Sequence, residues 1–367
     1  MTHLVELLQE LVRIDSVNPD LIPGAAGEAE IAGFVAGWCE RAGLEVELEE
    51  TAPGRPNVIA TARGSGGGRT LVLNAHMDTV GTETMEAPFE ARVEGGHLYG
   101  RGAYDMKGSL AAIMTVAAEA SKRGLAGDVV VAAVCDEEVA SIGTEALVAS
   151  GRRFGAAVVA EPTELGVAIA HKGFAGFEIE TRGRAAHGSR PDLGVDAIAK
   201  MGPVLVELDA LATRLLSQPT HRLLGSGSVH SSLIEGGQEF SSYPERCLLT
   251  GERRTVPGET LEDVEAELRS LLERTEPEAD LRMGVSRQSF EVAEDEEIVR
   301  LVQGHAKTQI VGVPFWTDAA LLAGAGVPTV VFGPAGEGAH AAVEWVDLAS
   351  VERCSEVLLA VATEFCA

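Results

Sequence analysis

Leu71-Val-Leu-Asn-Ala-His-Met-Asp-Thr-Val80 is the stretch around which the chain is organised. Its apolar start suits a buried strand, and the run closes in an imidazole and a carboxylate two residues apart. Such groups at the carboxyl end of a strand are what a metal site requires. His76 can offer one ring nitrogen to an ion while Asp78 accepts a hydrogen bond from the other or fixes the local turn. Alone, a His-x-Asp at a strand end is more often an ordinary turn. Its meaning depends on what else in the chain can join it.

Outward from this strand, helices and apolar strands alternate. Leu4, Leu8, Leu11 and Val12 share a helical face, as do Ile31, Phe34, Val35 and Trp38. Leu44, Val46 and Leu48 alternate with three glutamates, the period of a strand wet on one side. Further strands are expected at 57–61, 129–134 and 156–160, with an Ala-rich helix over 109–123. This pattern argues for an α/β sheet. After Lys172 the texture changes to one-sided strands at 174–181, 228–234 and 247–252 with helices at 195–216 and around 261–271. That is the signature of two helices on a small antiparallel sheet. From about Phe290 the first pattern returns, with a strand at 327–332, a Gly-rich loop through His340 and a final helix. The chain thus divides into an α/β domain over 1–172 and 288–367 and an inserted α+β domain over 173–287, consistent with a length of 367 residues.

Composition restricts the partners. Acids outnumber bases 56 to 29, a formal charge of −27 that repels phosphate backbones and anionic lipid, so neither nucleic acid nor a membrane surface is expected. Five cysteines without a Cys-x-x-Cys pair fit a reducing compartment. No secretory n-region and h-region open the sequence, and no apolar run approaches the roughly 18 residues of a membrane span. A cytoplasmic location is the expectation.

Several segments share the layout of the first: an apolar strand or a loop ending in a potential ligand. They contribute His76, Asp105, the acids 136–138, Glu161 and His340. In an open α/β sheet, the crevice outside the carboxyl ends of the strands is where such groups converge. Carboxylates and imidazoles without thiolate suit Zn, Mn or Co, and two hydrolytic ions roughly 3.5–4 Å apart need one shared ligand. One acid must stay free as general base. Glu137 and Glu138 could divide those duties.

These motifs resemble the di-zinc amidohydrolases and peptidases that include acetylornithine deacetylase, succinyl-diaminopimelate desuccinylase, aminoacylase and the glutamate carboxypeptidases. The resemblance rests on His76-x-Asp78, Gly100-Arg-Gly-Ala-x-Asp-Met-Lys-Gly108, Asp136-Glu-Glu138, Glu161-Pro-Thr163 and Ala339-His340, and extends from Leu11-Val-Arg-Ile-Asp-Ser-Val-Asn-Pro19 to Glu344. It implies a zinc-peptidase-like catalytic domain with a mixed, mostly parallel sheet, and an inserted lid and dimerisation domain. It makes Asp105 a bridge between two divalent ions, most naturally zinc, with His76 and Glu161 completing one site and Glu138 and His340 the other. Glu137 becomes the general base and Asp78 the partner of His76. His187, in Ala186-His-Gly-Ser-Arg-Pro, resembles the histidine delivered to a neighbouring subunit's active site, and Arg254 the arginine that holds a substrate carboxylate. The sequence departs from the family at Ser241, where many relatives carry a substrate-contacting asparagine.

The activity implied is hydrolysis of the amide of an N-acyl amino acid by a homodimer. A dipeptidase or carboxypeptidase using the same chemistry is the alternative, and a non-catalytic ligand-binding relative is a third reading. No Gly-x-Ser-x-Gly elbow offers a covalent route.

Overall fold

The computed structural model describes residues 2–82 and 85–367. The chain packs as two compact units, one of residues 1–169, 292–311 and 317–367 and the other of residues 170–291 and 312–316.

In the first unit, strand Leu71–His76 lies at the centre of a mixed sheet. Val129–Val134 and Ala156–Val159 flank it on either side, both parallel to it. Thr329–Val331 continues the parallel run beyond Ala156–Val159. On the other side Arg55–Ala62 and then Glu45–Ala52 close the sheet antiparallel. Every residue of Leu71–His76 and Val129–Val134 is buried, as strands covered on both faces must be, and their Val and Leu content supplies the apolar side chains this requires. Helix Gly108–Ala120 crosses from the first of these strands to the second, packed against Thr2–Arg13 and Leu348–Phe365 as well as the sheet. With neighbours on so many sides it is buried almost all round, which explains its run of alanines in place of a polar face.

The connection through helix Ile142–Ala149 then carries the chain past Leu71–His76 to its other side. The carboxyl ends of three neighbouring parallel strands therefore open at one edge, and the side chains that follow them meet there.

The second unit is a four-stranded antiparallel sheet in the order Ser228–Gly236, Arg246–Thr255, Gly173–Arg182, Asp280–Arg287. Burial alternates along Gly173–Arg182 and Arg246–Thr255, so one face is packed. Helices Ala197–Ser217 and Leu261–Thr275 supply the packing. Met201, Val204, Leu208, Leu268 and Leu271 meet Phe177, Ile179 and Leu249 in one core. Asp196 caps the first helix by accepting from the Ala199 N–H, and Thr260 with Asp263 forms a capping box on the second. Together the units give the α/β domain with a mixed sheet and the separate α+β unit that the sequence leads one to expect. All five cysteines are free and buried.

Candidate metal centre

His76 ends its strand with the ring fully enclosed. Nδ1–H donates to the backbone carbonyl of Asp78 at 2.9 Å, so in the neutral ring Nε2 carries a lone pair. That nitrogen faces Asp105 Oδ1 at 3.1 Å and Glu161 Oε1 at 3.8 Å. Glu161 follows strand Ala156–Val159 in the Glu-Pro turn. Asp105 sits in the irregular turn Ala103–Lys107 ahead of the long helix and turns its second oxygen toward His340 Nε2 at 3.4 Å. His340 also lies 3.2 Å from Glu138 Oε2. Two clusters result, His76–Asp105–Glu161 and Asp105–Glu138–His340, with the donor atoms of each within 4.8 Å of one another. Asp105 belongs to both, and Glu137, among the described residues, to neither.

These residues fit a pair of cations on the chemistry of their donors. A lone-pair nitrogen pointed at two carboxylates is repelled unless positive charge lies among them or the ring takes a second proton. Burial opposes charge on His76, yet Asp105, Glu161, Asp78 and Glu137 outweigh it and push its pKa well above the ordinary imidazole value. Burial, with Asp105, Asp318 and Glu138 adding to it, drives Glu161 well above the usual carboxylate range. Burial and the neighbouring Glu161 do the same to Glu137. His340 is pushed up to about 10, chiefly by Asp105 and then Glu138. Glu138 Oε1 is buried with no hydrogen-bond partner among the described residues, a lone pair still to be satisfied. A site built this way is short of positive charge, and two divalent ions would supply it.

The surrounding hydrogen bonds aim the donors. The buried Glu344 carboxylate accepts from the N–H groups of Gly102, Tyr104 and Asp105 at 3.0, 2.9 and 3.0 Å, and from Arg101 Nη1 at 2.7 Å, which fixes the turn that presents Asp105. Gly102 has φ 77°, and a Cβ there would stand 2.6 Å from Thr79 Cγ2, so the turn requires glycine twice over. The Asp78 carboxylate lies 3.6 Å from His76 Nδ1, whose hydrogen bond goes to the Asp78 carbonyl. The carboxylate accepts the N–H groups of Glu137 and Glu138 at 3.1 and 3.2 Å, so Asp78 orients His76 through its main chain and the two glutamates through its side chain. Asp136 faces Arg55 at 2.9 Å and not the clusters.

Asp318 was not visible as a site residue. It is buried at the start of helix Ala319–Gly324, accepts from Thr144 Oγ1 at 2.6 Å, and burial pushes its carboxyl up to about 6. Its charge in turn raises Glu137 and Glu161. Only the polar pair Thr317-Asp318 between Phe315-Trp316 and Ala319-Ala-Leu-Leu322 marks it in the sequence.

His187 and Arg254 belong to the second unit. His187 is exposed, with Nδ1 2.8 Å from Ser189 Oγ and its backbone bridged to Ser242. The Ser241 carbonyl accepts from the Gly188 N–H at 2.7 Å, tying the two loops together. Arg254 lies one residue before the end of strand Arg246–Thr255, donates to Glu252 at 2.6 Å and lies 5.4 Å over the Phe174 ring.

Two adjoining carboxylate–imidazole cation sites with a shared aspartate and a free glutamate, at the carboxyl ends of an α/β sheet, define a metal-dependent hydrolase. The chain belongs to peptidase family M20/M25/M40, whose family model matches residues 72–364. It is 33% identical to the acetylornithine deacetylase of Myxococcus xanthus over 98% of this chain and 96% of that one. It is 28% identical to the N-formyl-4-amino-5-aminomethyl-2-methylpyrimidine deformylase of Halalkalibacterium halodurans, over 99% and 94% of the two. A metallo-carboxypeptidase of the M20 family from Sulfolobus solfataricus shares the fold, with a TM-score of 0.83 at 16% identity and coverage of 100% and 99%. No helix among the described residues is long and apolar enough to cross a membrane.

Proposed function

We propose that this hydrolase cleaves the amide of an N-acyl amino acid, with acetylornithine-like and succinyl-diaminopimelate-like compounds as the first substrates to try. The observation that carries the reading is the division of carboxylates, with Asp105 turned toward both imidazoles and Glu137 left outside both clusters. His76, Asp105 and Glu161 would hold one ion, and Asp105, Glu138 and His340 the other. When bound, two such ions supply Lewis acidity, lowering the pKa of a water toward neutrality and polarising the substrate carbonyl. Glu137 takes the proton of that water and passes it to the leaving nitrogen. Asp78 keeps Glu137 and Glu138 in place through their N–H groups.

In the second unit, Arg254 would bind the substrate carboxylate and His187 would donate to the tetrahedral oxyanion. His187 does so across a homodimer, residues 173–287 forming the lid and dimerisation domain. The donor set of carboxylates and imidazoles without thiolate suits Zn, Co and Mn in ligand type, and zinc is the first ion to try. The free, unpaired cysteines favour a cytoplasmic setting.

Two of the proteins named above are a deacetylase and a deformylase and the third is a carboxypeptidase, and the same chemistry on a peptide bond would give a dipeptidase. Amine release by the metal-loaded protein from acetyl, succinyl and formyl amino acids and from dipeptides separates these. Turnover confined to free dipeptides would refute the deacylase reading, and no metal-dependent turnover of any amide would refute both.

A further inference from the structure

We propose that Asn18 is a positioning residue of this centre, its one side-chain amide holding the His76–Asp78 turn and the Asp136–Glu138 turn at a fixed separation. The inference rests on the proposed ligand set and on Glu137 as base. Asn18 follows the first helix and is wholly buried. Its N–H donates to the Thr79 carbonyl at 2.9 Å, and the Thr79 N–H returns to Ser16 at 3.0 Å, so this loop is stitched to the turn after His76. Oδ1 accepts the Asp20 N–H at 2.9 Å, which settles the orientation of the amide and aims Nδ2 the other way.

Nδ2 carries two protons and meets two acceptors, Asp78 Oδ2 at 2.8 Å and Asp136 Oδ1 at 3.0 Å. Both carboxylates are at most 1% exposed. Arg55 adds a bond to Asp136 at 2.9 Å and spends its other donors on Glu28 and Asp20. The donors of the Asp78 side chain are the Asn18 amide and the N–H groups of Glu137 and Glu138. Wherever Asn18 sets the Asp78 carboxylate, those two N–H groups follow, and with them the starting points of the base and of a metal ligand. Without the amide, the two facing buried carboxylates keep no common donor among the described residues, and the separation of their turns loses its tie at this point.

Asparagine is suited to this place because it is neutral and offers two donors on one nitrogen. Aspartate keeps the shape but offers no donor and adds a third negative charge, whereas alanine removes the donors without adding charge, so the two variants together separate these effects. The test compares Asn18→Asp and Asn18→Ala with the wild type by competitive metal titration, by melting of the metal-free protein, and by kcat and KM for amine release. Loss of an outer hydrogen bond to a metal centre typically costs about 10- to 100-fold in metal affinity or activity. The expected result is a loss of that size in affinity for the ion on Glu138 and in kcat for both variants, with KM within about twofold. Asn18→Asp should be at least as damaged as Asn18→Ala.

Metal affinity and kcat within about twofold of wild type in Asn18→Asp would overturn the inference, because a merely space-filling residue tolerates its isostere. So would a lowered melting temperature with metal affinity unchanged. Should Asn18→Asp not fold, Asn18→Ala decides by the same two criteria. A wild-type protein that binds no divalent ion refutes the reading of the centre itself, whereas tight binding by wild type and variants alike refutes only the role of Asn18.

Discussion

Exchanging Glu137 for Gln keeps the shape of the side chain and removes its ability to accept a proton. The main chain should not move, because the Glu137 N–H is held by Asp78 and the substitution leaves that bond in place. Metal content should not change either, since Glu137 stands outside both clusters. The loss is then that of a positioned general base, about 10²- to 10⁴-fold in kcat, or ~2.7–5.4 kcal/mol of transition-state free energy at 1.36 kcal/mol per tenfold. A second consequence runs the other way. Burial, with Glu161, Asp318 and Glu138 adding to it, makes a negative charge at this position unfavourable, so the neutral amide should leave the melting temperature of the metal-free protein unchanged or raise it. Steady-state amine release, elemental analysis and a thermal melt on one preparation measure all three quantities. Retention of kcat within tenfold with two ions bound would place the base elsewhere. Loss of an ion from Glu137→Gln would make Glu137 a ligand and refute the division of roles.

Asp105→Ala should lose both ions together, whereas Glu161→Ala and His340→Ala should each weaken mainly one. Elemental analysis finding two tightly held ions in Asp105→Ala would rule out the bridge. Glu344→Ala should destabilise the fold by about 3–5 kcal/mol, the usual result of leaving a buried charge unpaired, because Arg101 is enclosed with it; a denaturant midpoint close to wild type would show the turn is held by other bonds. Chelation should abolish turnover, and Zn, Co or Mn should restore it; rebinding should release protons, since carboxylates and imidazoles must deprotonate to bind, so affinity should rise with pH. Calorimetry in buffers of different ionisation enthalpy would expose the absence of proton release. Mixing inactive Glu137→Gln and His187→Ala subunits should regain activity, because some mixed dimers would pair an intact base with an intact partner histidine. Exchanged dimers that stay inactive would remove His187 from the neighbouring site.

The central strands were legible because burial on both faces leaves no choice but apolar runs, as in 71–76 and 129–134. Helix Ile142–Ala149 and strand Asp280–Arg287 were not. The helix has only eight residues, and its one large fully buried side chain is Leu147. The strand alternates Leu281, Met283 and Val285 with polar residues or glycine, but every one of its residues is exposed or half-buried, so the period carries little apolar weight. The clusters were legible for a different reason. Metal chemistry admits few residue types, and each donor follows a strand or a Gly-rich turn that can be read by itself. The donors' supports were hidden because hydrogen bonds such as Asn18 to Asp78, or Glu344 to Asp105, join positions 60 and 239 residues apart. Nothing in local sequence marks them, and Asp318 is concealed in the same way.

The two clusters differ in how their ligands are held. His76 ends one buried strand and Glu161 follows the adjacent one, and both side chains are almost wholly enclosed. His340 instead rides on a Gly-rich loop at φ 62°, with its side chain 55% exposed. An ion leaving the first pair must part rigid, packed walls. An ion leaving the second needs only one half-exposed imidazole to swing outward on its loop. With the proposed ligands, exchange with a metal reservoir is therefore asymmetric. The His340 position would exchange its ion sooner than the enclosed one, because the same swing of the half-exposed imidazole that lets an ion leave also lets one enter.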